Sequence, residues 1–369
     1  MKSERRPERP ALLRQMDWVT TLIPFVSILI LCFLFIVYPA ASSSILESIR
    51  FFLGDQLGSY YLILGLAAVI CSLYMAFSPY GNIRLGNIPK PQYSSFQWGS
   101  MKFTFDLTTD ILFYSLCEWM LYANEPHIAE MGAIQDWAGT YPLFHWGPIP
   151  WSFYIILAVS FGFMIHVRKR SKQKYSEACR ALLGHRVDGI WGKLIDLTAV
   201  FALLAGTATT FALATPLLSL SISHVHHIPQ SNFLSVAILV ITCVTYTAAV
   251  YFGMNGIIRL AASCIYLFFA LLLYVFVCGG EMVYTVETGL SALGNLTQNF
   301  LSMATWTDAL RTSSFPQNWT IFYWAYWMVW CVAAPFFIGS ISKGRTIRQT
   351  ILGGYFWGLA GTFTSFIVL

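Results

Sequence analysis

Toward its end the sequence sets four aromatic residues, Tyr323, Tyr326, Trp327 and Trp330, at i, i+3, i+4 and i+7. On a helix that spacing brings their rings to one face. Ring faces carry the negative part of a quadrupole and attract cations, each ring contributing about 0.5–2 kcal/mol and more where water is excluded. A quaternary ammonium group suits such a stripe, because it donates no hydrogen bonds and holds its water weakly. A primary ammonium would lose stronger water contacts and find no acceptors. Plain interhelical packing uses the same spacing, so periodicity alone leaves both readings open.

A second set is acidic. Asp106 and Asp110 lie four apart in MKFTFDLTTDILFYSLCEW, hence on one helix face. Acids inside a membrane cost several kcal/mol unless partnered or protonated, and they mark functional sites by default. A polar pair facing a wet cavity is the plainer alternative. A carboxylate about 4 Å from a trimethylammonium group contributes roughly 4 kcal/mol at an effective dielectric of 20. A ligand with its own carboxylate would be opposed by a similar amount.

Other chemistry is sparse. The eight cysteines are scattered, mostly through apolar segments, without a CxxC pair, and point to neither a disulfide framework nor a zinc site. His224, His226 and His227 read as a solvated loop rather than a metal site. No nucleophile, metal or cofactor motif stands out, which argues against an enzyme. Asn295-Leu-Thr and Asn318-Trp-Thr fit the glycosylation pattern, a weak signal.

The elements that must position these residues are membrane spans. Of 369 residues, 57% are hydrophobic and 11% charged, where a soluble domain averages about 25% charged. Apolar runs near the roughly 20-residue spanning length fall at about 19–41, 59–78, 98–123, 149–167, 194–221, 233–254, 258–279, 319–341 and 348–369. With the N-terminus inside, 20 of the 22 Lys and Arg residues, all but Arg50 and Arg311, face the cytoplasm, as the positive-inside rule requires. The +5 net charge is therefore an orientation signal and not a nucleic-acid patch. The first 18 residues are too polar for a signal-peptide core, so the first run is expected to remain as a helix. A Gly/Pro/Ser-rich connection, SPYGNIRLGNIPKPQYSSFQW, marks a boundary after the second span. The polar segment RKRSKQKYSEACRALLGHR (168–186) reads either as lying along the inner membrane face or as a solvated loop. Val283–Leu301 is expected to form a short helix on the outer surface.

Several stretches together resemble the betaine/choline/carnitine transporter family. They are GNIRLGNIPKPQYSSFQW before the third span, FHWGPIPW at the fourth, GKLIDLTAVFALLAGTATTFALA in the fifth, and WTIFYWAYWMVW in the eighth, followed by ISKGRTIR. They occur in family order and spacing, and FHWGPIPW is most similar to the carnitine-type branch. The resemblance implies an all-α polytopic membrane protein with two leading helices and two five-helix repeats of inverted topology. On this chain that gives a basic tail (1–18), the leading helices (19–78), the first repeat (97–280), an outer connecting segment (281–318) and the start of the second repeat (319–369). Only two helices of the second repeat are covered, so a fragment is expected. Substrate binds near the bilayer midplane in such folds, and rocking of one bundle against another gives alternating access.

Residue by residue, the resemblance implies a cage from Trp146, Trp151 and Tyr154 of the fourth span and Trp324, Trp327 and Trp330 of the eighth. Tyr326 stands where the family usually has another Trp. The family's third span is mostly glycine-rich. Here Thr104, Thr108 and Thr109 are placed to satisfy backbone groups freed by unwinding, and Asp110 replaces the last glycine, as in the proton-coupled choline branch. Asp106 has no counterpart and is read as a cation ligand, a proton relay or a partner of Lys102. Glu118 matches a family Glu, for which a structural hydrogen-bond role is expected. Ile265 and Ala334 stand where carnitine-type exchangers carry Arg and Met, so the exchanger signature is missing. The resulting expectation is a plasma-membrane secondary transporter of a quaternary ammonium compound, choline preferred. It would be proton-coupled through Asp106 and Asp110, with sodium as the other coupling ion considered, without a cofactor, and trimeric. A carnitine or glycine betaine carrier, exchanging or sodium-coupled, and a non-transporting homologue are the alternatives.

Overall fold

The computed structural model describes residues 17–106, 109–170, 174–332 and 334–369, with the backbone alone at 103–106, 109, 213, 250, 253–259 and 261. Its elements are helices: α1 (Trp18–Val37), α2 (Pro39–Phe51), α3 (Gly58–Phe77), α4 (Ser95–Asp106), α5 (Thr109–Ala123), α6 (Ile134–His145), α7 (Pro148–Gly162), α8 (Ile190–His226), α9 (Asn232–Tyr251), α10 (Gly253–Cys278), α11 (Met282–Thr305), α12 (Ile321–Trp330), α13 (Ala334–Ile341) and α14 (Ile347–Val368). By length and hydropathy six spans cross a membrane among the described residues, or eight if each bent pair is one span. The remaining expected span, 98–123, is divided between α4 and α5, and residues 107–108 at the junction lie outside the described residues.

The packing centre is α7. Helices α3, α12, α13 and α14 all pack against it, and small residues let them approach. A Cβ on Gly339 of α13 would stand 2.8 Å from the Ala158 carbonyl oxygen, closer than side-chain carbons come to such atoms. By contrast α1 has a mean hydropathy of 2.7 with only 6% of its most apolar stretch buried inside the protein.

Two breaks shape the centre. Between α6 and α7, Gly147 sits where a Cβ would fall 2.3 Å from the Leu143 carbonyl oxygen. Pro148 then opens α7, where a missing N–H is harmless. The break leaves Trp146 at the end of one helix and Trp151 and Tyr154 at the start of the next. The second break lies between 316–330 and α13, which are bent by 55°.

The connection after α3 is more than a linker. Leu85 N–H donates to the Arg345 carbonyl at 2.8 Å, Gly344 N–H to Leu85 at 2.6 Å and Ile347 N–H to Ile83 at 2.9 Å. The Arg345 guanidinium lies 4.6 Å above the Trp98 ring and donates to the carbonyls of Tyr93 and Ser94. Thus GNIRLGNIPK and ISKGRTIR, distant in sequence, form one clasp. On the opposite side α11 is longer than the expected 283–301 helix and turns 113° from residues 262–278. It buries Gly289, Ala292, Leu296 and Met303, a helical stripe, with Ala292 against Gly139 of α6. Residues 174–188 fold into short helical turns tied by Arg180 to Glu177 and Asp188 and by Ser176 to Asp196.

Candidate functional site

The acid of the site, Asp110, comes from α5. Asp110 is 2% exposed. Its carboxyl accepts from the Tyr326 hydroxyl of α12 at 2.6 Å and from the Thr210 hydroxyl of α8 at 3.2 and 3.3 Å. With no basic partner among the described residues the buried Asp110 carboxyl is ionised only at a cost, which a bound cation offsets, whereas an Arg or Lys partner would already have neutralised it.

Around it closes a cavity lined by Asp110, Ile111, Trp146, Tyr154, Tyr326, Trp327 and Trp330. The rings meet edge to face: Trp146 and Trp327 have centroids 5.3 Å apart, and Tyr154 and Trp327 5.2 Å. The space between these side chains that a water-sized sphere can occupy is about 10 Å³, room for roughly one water molecule. A trimethylammonium group therefore enters only when the rings part. The indole N–H of Trp327 is buried without a hydrogen-bond acceptor among the described residues. Unsatisfied buried donors of this kind cost free energy and call for an explanation.

Of the residues singled out from sequence, Trp146, Tyr154, Tyr326, Trp327, Trp330 and Asp110 come together here. Trp151 stands one ring back, 5.4 Å from Trp327 and 5.7 Å from Tyr154. Its face is covered by the Lys102 ammonium at 3.9 Å from the ring centroid. Trp324 points elsewhere, with its indole nitrogen 3.3 Å from the Cβ position of Gly65 on α3 and its ring against Phe144 and His145. The side chain of Asp106 lies outside the described residues, as do those of Thr104, Thr108 and Thr109. Ile265 packs with Phe268 and Leu272, and Ala334 is buried in the main core.

Sequence reasoning missed Ile111 and Thr210. Thr210 lies in the GTATT run of α8, and only the packing of α8 on α5 distinguishes it from its neighbours. Lys102, counted among the cytoplasmic cations from sequence, is 0% exposed within α4. Glu118 is more than a local brace: it accepts from Tyr122 at 2.6 Å and from the Trp146 indole at 2.8 Å, joining the cavity wall to a buried polar network.

The chain is 29% identical over 317 residues, 85% of its own length, to a protein of Desulfitobacterium hafniense (strain Y51) described as a probable glycine betaine transporter. It spans 63% of that relative's length. Residues 19–369 match the model of the betaine/carnitine/choline family transporters (BCCT), and the chain belongs to that family.

Proposed function

We propose that the protein is a secondary transporter of a quaternary ammonium compound in the plasma membrane, with choline preferred and protons as the coupling ion. The observation that carries this reading is the Asp110 carboxyl, held among the described residues by the hydroxyls of Tyr326 and Thr210 in a cavity of aromatic rings. A methylated cation between those rings gains ring attraction and the carboxylate charge together. The hydroxyl oxygen of choline gives the Trp327 indole an acceptor. Because the rings close on one another in this conformation, binding and ring separation are one event, as alternating access requires. The N-terminus is placed in the cytoplasm and the assembly is a homotrimer in this reading.

A zwitterionic substrate is the second reading. Lys102 favours it, because a fixed ammonium one ring behind the cavity offsets the Asp110 term against a substrate carboxylate. The name of the glycine betaine relative points the same way. Uptake into proteoliposomes decides between them, with choline, glycine betaine and carnitine each tested under a proton gradient, a sodium gradient and neither. Choline accumulation driven by an inward proton gradient supports the first reading. Carriage of carnitine or betaine with choline ignored overturns it.

A further inference from the structure

Glu118 is 0% exposed, and the chain of groups attached to it is continuous. Its Oε1 is 2.6 Å from the Tyr122 hydroxyl, that hydroxyl is 2.5 Å from His145 Nδ1, and His145 Nε2 is 2.9 Å from the Thr320 hydroxyl. Every member is buried. The other oxygen, Oε2, accepts from the indole of Trp146 at 2.8 Å, and Trp146 lines the cavity. The chain therefore runs from the wall of the proposed site to the first turn of the eighth span.

Such a chain has two complete settings. In one, Glu118 is ionised: Tyr122 donates to Oε1, His145 Nδ1–H donates to Tyr122, and Thr320 donates to Nε2. In the other, one added proton enters at His145 Nε2, the Nδ1 proton passes to Tyr122, and the Tyr122 proton passes to Glu118. Every bond then reverses, none is lost, and the charge at Glu118 goes from −1 to 0. Trp146 keeps an acceptor in both. We infer that Glu118 carries the coupling proton and that Thr320, His145 and Tyr122 deliver it.

The inference rests on the transporter reading and sharpens it. Asp110 cannot both hold a cation by its charge and carry the co-transported proton, since protonation removes the charge. A second acid resolves that conflict. Around Glu118 the titratable groups are Tyr114, Cys117 and Tyr122 on its own helix with Asp110 eight residues away, Tyr141 and His145 on α6, and Tyr323 on α12. The Tyr323 hydroxyl has no hydrogen-bond partner in good geometry among the described residues. Helices α8 and α14, also packed on α5, bring no titratable group to Glu118 among the described residues. Among the described residues no Lys or Arg compensates an ionised Glu118, so the exclusion of water on closure of the site favours the protonated form.

The test is choline binding to the purified protein between pH 5 and 8, with proton-driven uptake in proteoliposomes, for the native chain, Glu118→Gln, Tyr122→Phe and Asp110→Asn. Glu118→Gln keeps an acceptor for Trp146 and removes the titration. It should flatten the pH profile from several-fold across that range to under twofold and abolish accumulation by a proton gradient, while choline–choline exchange persists. Tyr122→Phe, which retains the acid and cuts the chain, should slow proton-driven uptake by tenfold or more with binding at equilibrium still pH-dependent. Native-like pH dependence and accumulation in Glu118→Gln would overturn the inference, as would a profile abolished by Asp110→Asn alone. Failure of the native chain to bind any quaternary ammonium compound would instead overturn the transporter reading.

Discussion

The Tyr326 hydroxyl donates to Asp110 at 2.6 Å and so ties the eighth span to the third across the cavity. Replacing Asp110 by Asn preserves an acceptor for Tyr326 and removes the charge. Choline affinity should fall about 10- to 100-fold, roughly 1.4–2.8 kcal/mol, within the roughly 4 kcal/mol available to a close carboxylate–cation pair. Tyr326→Phe keeps the ring and removes a hydrogen bond worth about 1 kcal/mol, so its effect should be several-fold. Titration calorimetry on the detergent-solubilised protein measures both. Equal affinities for native and Asp110→Asn would remove the carboxylate from the site.

Trp324 and Trp327 are three residues apart and face different surroundings. Trp327 lines the cavity, whereas Trp324 packs under α3 beside Gly65. Trp327→Leu should cost about 1–2 kcal/mol of binding through the lost ring face. Trp324→Leu should lower the thermal unfolding midpoint and leave the dissociation constant of the folded fraction within twofold. The reverse pattern would mean that the eighth span is rotated from its position here.

Gly206 of α8 supports the cavity from behind. A Cβ there would lie 3.1 Å from Trp330 and 3.3 Å from Val329. Gly206→Ala should push Trp330 toward the cavity and weaken binding several-fold, and Gly206→Val should add the roughly 1–3 kcal/mol of stability lost to overpacking. Binding and thermal melts of the two variants read the two effects separately.

The segment after α11 predicts a pH dependence of its own. Asp308 is buried and accepts from the backbone N–H groups of Thr312, Ser313 and Ser314 and from the hydroxyls of Thr312 and Ser313. Burial alone raises its pKa, but the Ser313, Ser314 and Thr312 donors outweigh it and hold the carboxyl well below the usual range. A group lowered on folding stabilises fully above its unfolded value, near about 3.9, and loses that contribution as pH falls through the folded value. Hydrogen exchange of residues 306–316 should thus be unchanged between pH 8 and 5 after correction for intrinsic rates. Asp308→Ala should speed it throughout that range. Loosening of the native segment between pH 7 and 5 would contradict the assignment.

Much of the architecture was legible in hydropathy, because a lipid environment leaves few alternatives to apolar helices of spanning length. Details set by tertiary contact were not. The 3.6-residue period already separates Trp324 from the face of Tyr323, Tyr326, Trp327 and Trp330, and the coordinates follow the period where residue-by-residue resemblance placed Trp324 in the cage. Tyr323 shares that face yet lies past the cavity, beside His145 and Trp146, since one face of a helix runs farther than one pocket. Lys102 counts among the cytoplasmic cations from sequence because it stands near the start of the third span. Its burial follows from α14, where a Cβ on Gly354 would already stand 3.8 Å from the Lys102 side chain.

The cage itself is tested most directly by competing choline with 3,3-dimethyl-1-butanol, its uncharged isostere with carbon in place of nitrogen. Rings and carboxylate acting together on the positive charge require choline to bind at least about 100-fold tighter, some 2.8 kcal/mol. Equal binding of the two would show that the pocket reads shape alone and would contradict the account.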